Sequence, residues 1–195
     1  MFRWFPFLLY AVITAVTPGP NNIMSMANGS RKGFWGALPF NLGIGLGFSI
    51  VMILCTLLCG VMSALIPKLK LPMLIAGALY MLYLAWHTVR SSGRTMEEGR
   101  GQDGFGAGLL LQFINPKIYL YCILSMEAYI LPYYAGRPLI LLGFSILLAL
   151  IGFVFTLCWS GCGAAFQTLF SQHAKVVNAV LALLLVACAI SLFLP

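Results

Sequence analysis

Charge is scarce in this sequence. Of 195 residues only 8% are charged, with four acids and two histidines in all, whereas soluble domains carry about 25% charged residues. Three of the acids, Glu97, Glu98 and Asp103, share one stretch, and His87 and His173 lie far apart. Enzyme chemistry inside a membrane needs a paired acid, a metal cluster or an activated nucleophile, and this distribution offers none of them. The six cysteines, Cys55, Cys59, Cys122, Cys158, Cys162 and Cys188, all fall in apolar stretches. Their two Cys-x-x-x-Cys pairs lack the spacing, the neighbouring histidines and the loop position of redox or metal sites, and they read as small apolar fillers. No catalytic residue, metal or cofactor is expected, and the chain reads as a protein other than an enzyme. A thiol-redox membrane protein and a passive channel are the competing classes, the first separable by thiol labelling from each side of the membrane.

Apolar residues are what the chain has instead. They make up 62% of it, against about 45–50% in soluble domains. No fold in water hides that much apolar surface, so lipid is the solvent. Charge-free runs extend over 4–30, 33–67, 71–89, 138–174 and 176–195, each near or above the roughly 20 residues one helical span needs. A sixth span, 108–131, carries Lys117 and Glu127 inside it. The prediction is an all-α membrane protein with six transmembrane helices in a single transmembrane domain, 1–195. Its parts are a first three-helix half (1–90), a cytoplasmic linker (91–107) and a second three-helix half (108–195).

The formal charge of +7 does not point to nucleic acid. Its basic residues are spread over span ends, where membrane proteins keep them. Arg3 ahead of an apolar run has the look of a signal peptide, but 4–30 is too long for the apolar core of one and reads as the first span. Arg31, Lys32, Arg90, Arg94, Arg100 and Lys175 outnumber Arg3, Lys68, Lys70 and Arg137, which places the first set in the cytoplasm and both termini outside. The stretch 91–106 has the composition of a flexible linker. Three spans per half make the second half enter the membrane from the opposite side, so any repeat is inverted. Modest echoes support one: Gly47-Phe48-Ser49 with Gly143-Phe144-Ser145, and the cysteine-containing stretch 54–60 with 157–163.

The most informative feature is a pair of interruptions. Thr17-Pro18-Gly19-Pro20-Asn21-Asn22 breaks the first apolar run, and Asn115-Pro116-Lys117 begins 98 positions after Thr17. Matched breaks in two hydrophobic halves are the best sequence pointer to a transporter's substrate site. Pro18, Pro20 and Pro116 lack an N–H, so the carbonyls of Thr14, Val16 and Gln112 lose their helical donors. At membrane depth such groups must be buried in protein or line a cavity, with Thr17, Asn21, Asn22 and Asn115 as local partners. Helices that resume after Pro20 and Pro116 point N–H groups and a positive dipole end at the cavity, which suits a carboxylate, while freed carbonyls suit an ammonium. A small zwitterion such as an amino acid matches both. The plainer reading, two proline kinks, does not account for the paired asparagines or for Lys117.

Lys117 inside a span costs roughly 2.5–3.5 kcal/mol on insertion scales, so it is expected at a cavity or a partner; snorkelling to the headgroups is the alternative. Glu127 reads as interfacial, near Tyr129, Pro132, Tyr133 and Tyr134. Tyr80, Tyr83 and His87 share one helix face and Tyr80 is a further candidate for the path. Gly43-x-x-x-Gly47 permits close helix packing. The candidate substrate-binding set is therefore Thr17, Pro18, Gly19, Pro20, Asn21, Asn22, Asn115, Pro116, Lys117 and Tyr80.

The segments Thr17-Pro18-Gly19-Pro20-Asn21, Gln112-Phe113-Ile114-Asn115-Pro116-Lys117 and Gly77-Ala78-Leu79-Tyr80-Met81-Leu82-Tyr83-Leu84-Ala85-Trp86 resemble the hallmark segments of the LysE/RhtB amino-acid exporters. The likeness covers essentially the whole chain, and is greatest to the cysteine and O-acetylserine exporter branch, including the ending at 181–189. The resemblance implies a multi-pass exporter of amino acids or their derivatives in the bacterial inner membrane, driven by the proton gradient. Its partners would be a small amino-acid substrate and membrane lipid, with a homo-oligomer compatible and nucleic acid not expected. Many relatives carry an acid directly after Pro-Gly-Pro, where this chain has Asn21, so carboxylate-based coupling is not expected at that position.

Overall fold

In the computed structural model the described residues are 2–90, 103–166, 173–191 and 193, without the side chains of 59–70, 73, 87, 174 and 191. Among them the regular structure is helical: α1 Trp4–Val16, α2 Pro20–Leu57, α3 Cys59–Arg90, α4 Phe105–Ile114, α5 Pro116–Ser125, a π-helical turn Met126–Ile130, α6 Leu131–Tyr134, α7 Pro138–Ala165 and α8 Ala174–Ser191. Two of these helices, α2 and α7, are long and apolar enough to cross a membrane, and the pair Phe105–Ile114 with Pro116–Tyr134, bent by 61°, makes a third by length and composition. Helix α1 and the stretch Lys175–Ile190 are apolar but shorter.

At 38 residues α2 would run about 57 Å if straight, nearly twice the roughly 30 Å of a hydrocarbon core. It is not straight. Gly33 inside it takes φ 70° and ψ 173°, a backbone conformation that a side chain disfavours. The bend separates a short arm, 20–32, from a longer one, 34–57, and Ile23 of the first shares a core cluster with Phe40 and Ile44 of the second.

Helix α7 packs on both arms through glycine. A Cβ on Gly29 would overlap the Ser160 carbonyl, and one on Gly163 the Met26 carbonyl, while Gly152 leaves room for the Phe48 ring. Gly43 and Gly108 do the same for α2 and α4, each seated on the other helix's backbone, so the expected close packing at Gly43-x-x-x-Gly47 has α4 as its partner. Lipid tails are as apolar as leucine, so packing of this kind, rather than water exclusion, holds spans together. The two stretches Gly47-Phe48-Ser49 and Gly143-Phe144-Ser145 are not equivalent in their surroundings: Gly47 is crowded by Gln112, whereas a Cβ on Gly143 meets nothing within 4 Å.

Side chains sort for lipid. Leu42, Leu46 and Leu54 on α2 and Ile146, Leu150 and Val154 on α7 are exposed at helical spacing, and Leu9 and Ile13 on α1 are exposed one turn apart. Inside, one core cluster holds Phe7, Met52, Tyr121, Met126 and Leu148, and another holds Ile23, Phe40, Leu111, Leu181 and Leu185. The junction of α1 with α2 lies beside both.

The stretch expected to be a flexible linker differs at its end. Residues 91–102 lie outside the described residues, but Asp103 is buried, 2.6 Å from the Lys32 ammonium and 3.7 Å from Arg31. Arg31 also donates to Asn28 Oδ1 at 2.5 Å. A carboxylate that finds two cations is packed rather than solvated, because ionic groups enter a low-dielectric site only with partners. Helix α4 starts two residues later, with Gly104 before its first turn.

Candidate functional site

The two interruptions meet in space. Helix α1 ends at Val16, and Thr17 (φ −61°, ψ 146°) and Gly19 (φ −173°, ψ 172°) are extended before Pro20 opens α2. At the other break a single residue, Asn115 (φ −80°, ψ 103°), separates α4 from α5, which opens on Pro116. Proline suits a first helical turn, where its missing N–H has no partner to lose.

The carbonyls left without helical donors are served from several elements. The Thr17 hydroxyl donates to Thr14 O at 2.8 Å, and Asn22 Nδ2 donates to Ala15 O at 2.8 Å and Thr17 O at 2.9 Å. Trp159 Nε1 of α7 donates to Val16 O at 3.2 Å. Across the junction, Asn21 Nδ2 donates to Gln112 Oε1 at 2.8 Å, Gln112 Nε2 returns to Asn21 Oδ1 at 3.2 Å, and Asn115 Nδ2 reaches the same oxygen at 3.1 Å. Asn115 Oδ1 caps α5 by accepting from Lys117 N at 3.1 Å.

Lys117 closes the connection. Its ammonium lies 2.9 Å from Thr17 O, 3.0 Å from Thr17 Oγ1 and 3.4 Å from Pro18 O. A lysine one residue into α5 thus binds the first break. Gly19 makes room for it: a Cβ there would stand 3.1 Å from Lys117 Cδ and 3.2 Å from Nζ. Helix α3 is brought up by Gly77, where a Cβ would come within 2.5 Å of Pro116 Cδ.

Two cavities adjoin this junction. One, a narrow cavity of about 40 Å³, is lined among others by Asn21, Asn22, Asn115, Ile118, Phe48 and Thr156. The other, of about 380 Å³, is lined among others by Tyr10, Thr17, Pro18, Met81, Leu124 and Cys188. Thr14, Gly19, Pro20, Lys117 and Tyr121 line both.

Of the candidate residues, the structure brings Thr17, Pro18, Gly19, Pro20, Asn21, Asn22, Asn115, Pro116 and Lys117 together. Tyr80 stands apart from both cavities; its ring lies 6.2 Å from that of Tyr83 and it packs on the cluster of Ile23, Leu84 and Leu181. The side chain of His87 lies outside the described residues. Glu127 is exposed in the π-helical turn, and His173 is exposed before α8.

The sequence reading overlooked Gln112, Trp159 and Tyr121. An uncharged polar residue in an apolar run, three positions before Asn115, was the available signal for Gln112, and the i, i+4 spacing from Lys117 on α5 was the one for Tyr121; nothing local marked Trp159, which reaches the junction from α7. Among the described residues no group of acids, histidines and cysteines suits a metal ion, and Cys55, Cys122, Cys158, Cys162 and Cys188 form no disulfide.

Two broken helices joined by a charged side chain beside a cavity, in a helical assembly poor in charge, define a translocator-like site. The chain belongs to the LysE type translocator family, whose profile matches residues 12–194. It is 39% identical over 189 residues to the cysteine/O-acetylserine efflux proteins of Escherichia coli (strain K12), Escherichia coli O157:H7 and Shigella sonnei (strain Ss046), each match covering 96% of this chain and 95% of the relative. No solved structure matches it.

Proposed function

We propose that this protein exports small amino acids or their derivatives, cysteine and O-acetylserine among them, across the bacterial inner membrane at the expense of the proton gradient. The observation that carries the proposal is the junction itself. The amides of Asn21, Asn22 and Asn115, the start of α5 and the Lys117 ammonium stand beside carbonyl oxygens of the first break, where two cavities share Lys117 as lining. The larger cavity, about 380 Å³, falls at the small end of the roughly 300–1,000 Å³ of ligand sites. Cationic and dipolar donors suit a carboxylate, carbonyl acceptors suit an ammonium, and a zwitterion has both. The efflux relatives bear names that fit such a cargo. The substrate-binding residues proposed are Thr17 to Asn22, Asn115, Pro116 and Lys117, with Tyr80 a weaker member.

The architecture we propose is six spans in two inverted halves, 1–90 and 108–195, joined by a cytoplasmic linker, with both termini outside. Gly33 divides α2 between the first and second spans, and α4 with α5 forms the broken fourth. Reporter fusions at Gly101 and at the C-terminus should give opposite compartments; the same compartment for both removes the six-span arrangement. The functional test is export of a labelled amino-acid panel from loaded vesicles with and without a proton gradient. Efflux of none of the panel above protein-free vesicles sinks the transport reading, and efflux indifferent to the gradient sinks the proton-driven one.

A further inference from the structure

We infer that the oxygens of the first break, Thr17 O, Thr17 Oγ1 and Pro18 O, form a subsite for a primary ammonium group, and that the chain's own Lys117 fills it as an internal competitor of the substrate. This rests on the reading of the junction as the substrate site and names how that site binds the nitrogen end of its cargo.

A lysine ammonium has three N–H donors and no acceptor. Here one nitrogen meets three oxygens, at 2.9, 3.0 and 3.4 Å. Thr17 and Pro18 lie between α1 and α2, so their carbonyls belong to no helical ladder. Thr17 O also accepts from Asn22 Nδ2 at 2.9 Å. The stem lies over Gly19, where any side chain would crowd it, and Lys117 borders both cavities. Tyr121 is a second polar group on the same wall: it is 3% exposed, lines both cavities, and its buried hydroxyl has no hydrogen-bond partner among the described residues. An amino acid whose ammonium takes the three oxygens releases the Lys117 charge toward its carboxylate and leaves the Tyr121 hydroxyl to whatever polar group the substrate adds. No new bond is covalent; one primary ammonium replaces another.

The test is chemical rescue. Lys117→Ala, which clears both the charge and the stem, and Lys117→Met, which clears the charge alone, are purified in detergent and heated with methylammonium chloride, with tetramethylammonium chloride as the control that donates no hydrogen bond. A ligand bound only by the folded state raises stability by mass action, so saturating methylammonium should raise the unfolding temperature of Lys117→Ala by roughly 5 °C or more. Lys117→Met should gain less, and the parent, whose subsite is filled, should gain nothing. Adding Thr17→Val to Lys117→Ala removes one acceptor and should cut the shift. The inference is overturned by equal shifts with both cations, by an equal shift in the parent, or by no shift in either variant. Amino-acid export by the parent without rescue of the variants sinks the subsite and leaves the transport proposal standing. Rescue without any export does the opposite.

Discussion

The two breaks look alike as proline interruptions but behave differently. The second is short and repairs itself: one extended residue, Asn115, turns the chain, and its own side chain caps the helix that follows. The first is wide and leaves repair to others. Gly19 has no side chain with which to cap α2, and the exposed carbonyls of α1 and the break are met by Asn22, by Trp159 of α7 and by Lys117 of α5. One break is a source of acceptors and the other a source of donors. Unpaired backbone groups at membrane depth cost several kcal/mol, so each break stabilises the other, and a ligand with both kinds of group can compete for the same oxygens and donors.

The largest expected effect comes from making the first break resemble ordinary helix. Pro18→Ala with Pro20→Ala supplies two N–H donors and favours continuous helix from α1 into α2, withdrawing the oxygens that Lys117 holds. Export should fall to background at unchanged protein level; normal export by the double variant would reduce the prolines to kinks. Next is the charge on the donor side. Lys117→Met should lower export about tenfold or more, equivalent to about 1.4 kcal/mol, while Lys117→Arg keeps part because charge survives in a different shape. Parent-like rates from Lys117→Met would mean that the contact with Thr17 is structural only.

A smaller effect is expected where the two breaks are joined by neutral groups. Gln112→Leu removes both bonds to Asn21 and the one to Gly108 O. Interhelical hydrogen bonds in membranes average about 0.6 kcal/mol each, so the two to Asn21 account for roughly 1 kcal/mol, seen as an unfolding temperature lower by about 2–4 °C. An unchanged transition would show that the Asn21–Gln112 pair contributes nothing to the junction. The mildest change is Asn115→Ser, which keeps an oxygen able to cap α5 and loses only the reach to Asn21. About 0.6 kcal/mol should go, and a loss as large as that of Gln112→Leu would place more weight on the cap than the comparison allows.

Much of this was legible along the chain. The solvent followed from composition, because apolar content this high has no other home. The breaks followed from Pro18, Pro20 and Pro116, because a missing N–H is a covalent fact independent of context. Two of their expected local partners, Thr17 and Asn22, do meet carbonyls of the first break, whereas Asn115 instead caps α5 and reaches Asn21. Asn21 was expected to act locally and instead crosses to α4, since its own neighbours were already served by Asn22.

What the chain by itself determined is where the backbone loses hydrogen bonds and which residue types stand there. What tertiary structure alone decided is who repairs the loss. Trp159 lies 143 positions from Val16 and Lys117 100 positions from Thr17, separations at which spacing carries no information about contact. Gly29, Gly152 and Gly163 bring α7 against α2 and set Trp159 beside the end of α1, while Gly19 lets the Lys117 stem lie over the break. In lipid a polar group is satisfied by whichever neighbour close packing delivers, so the identity of that neighbour is a property of the fold and not of the local sequence.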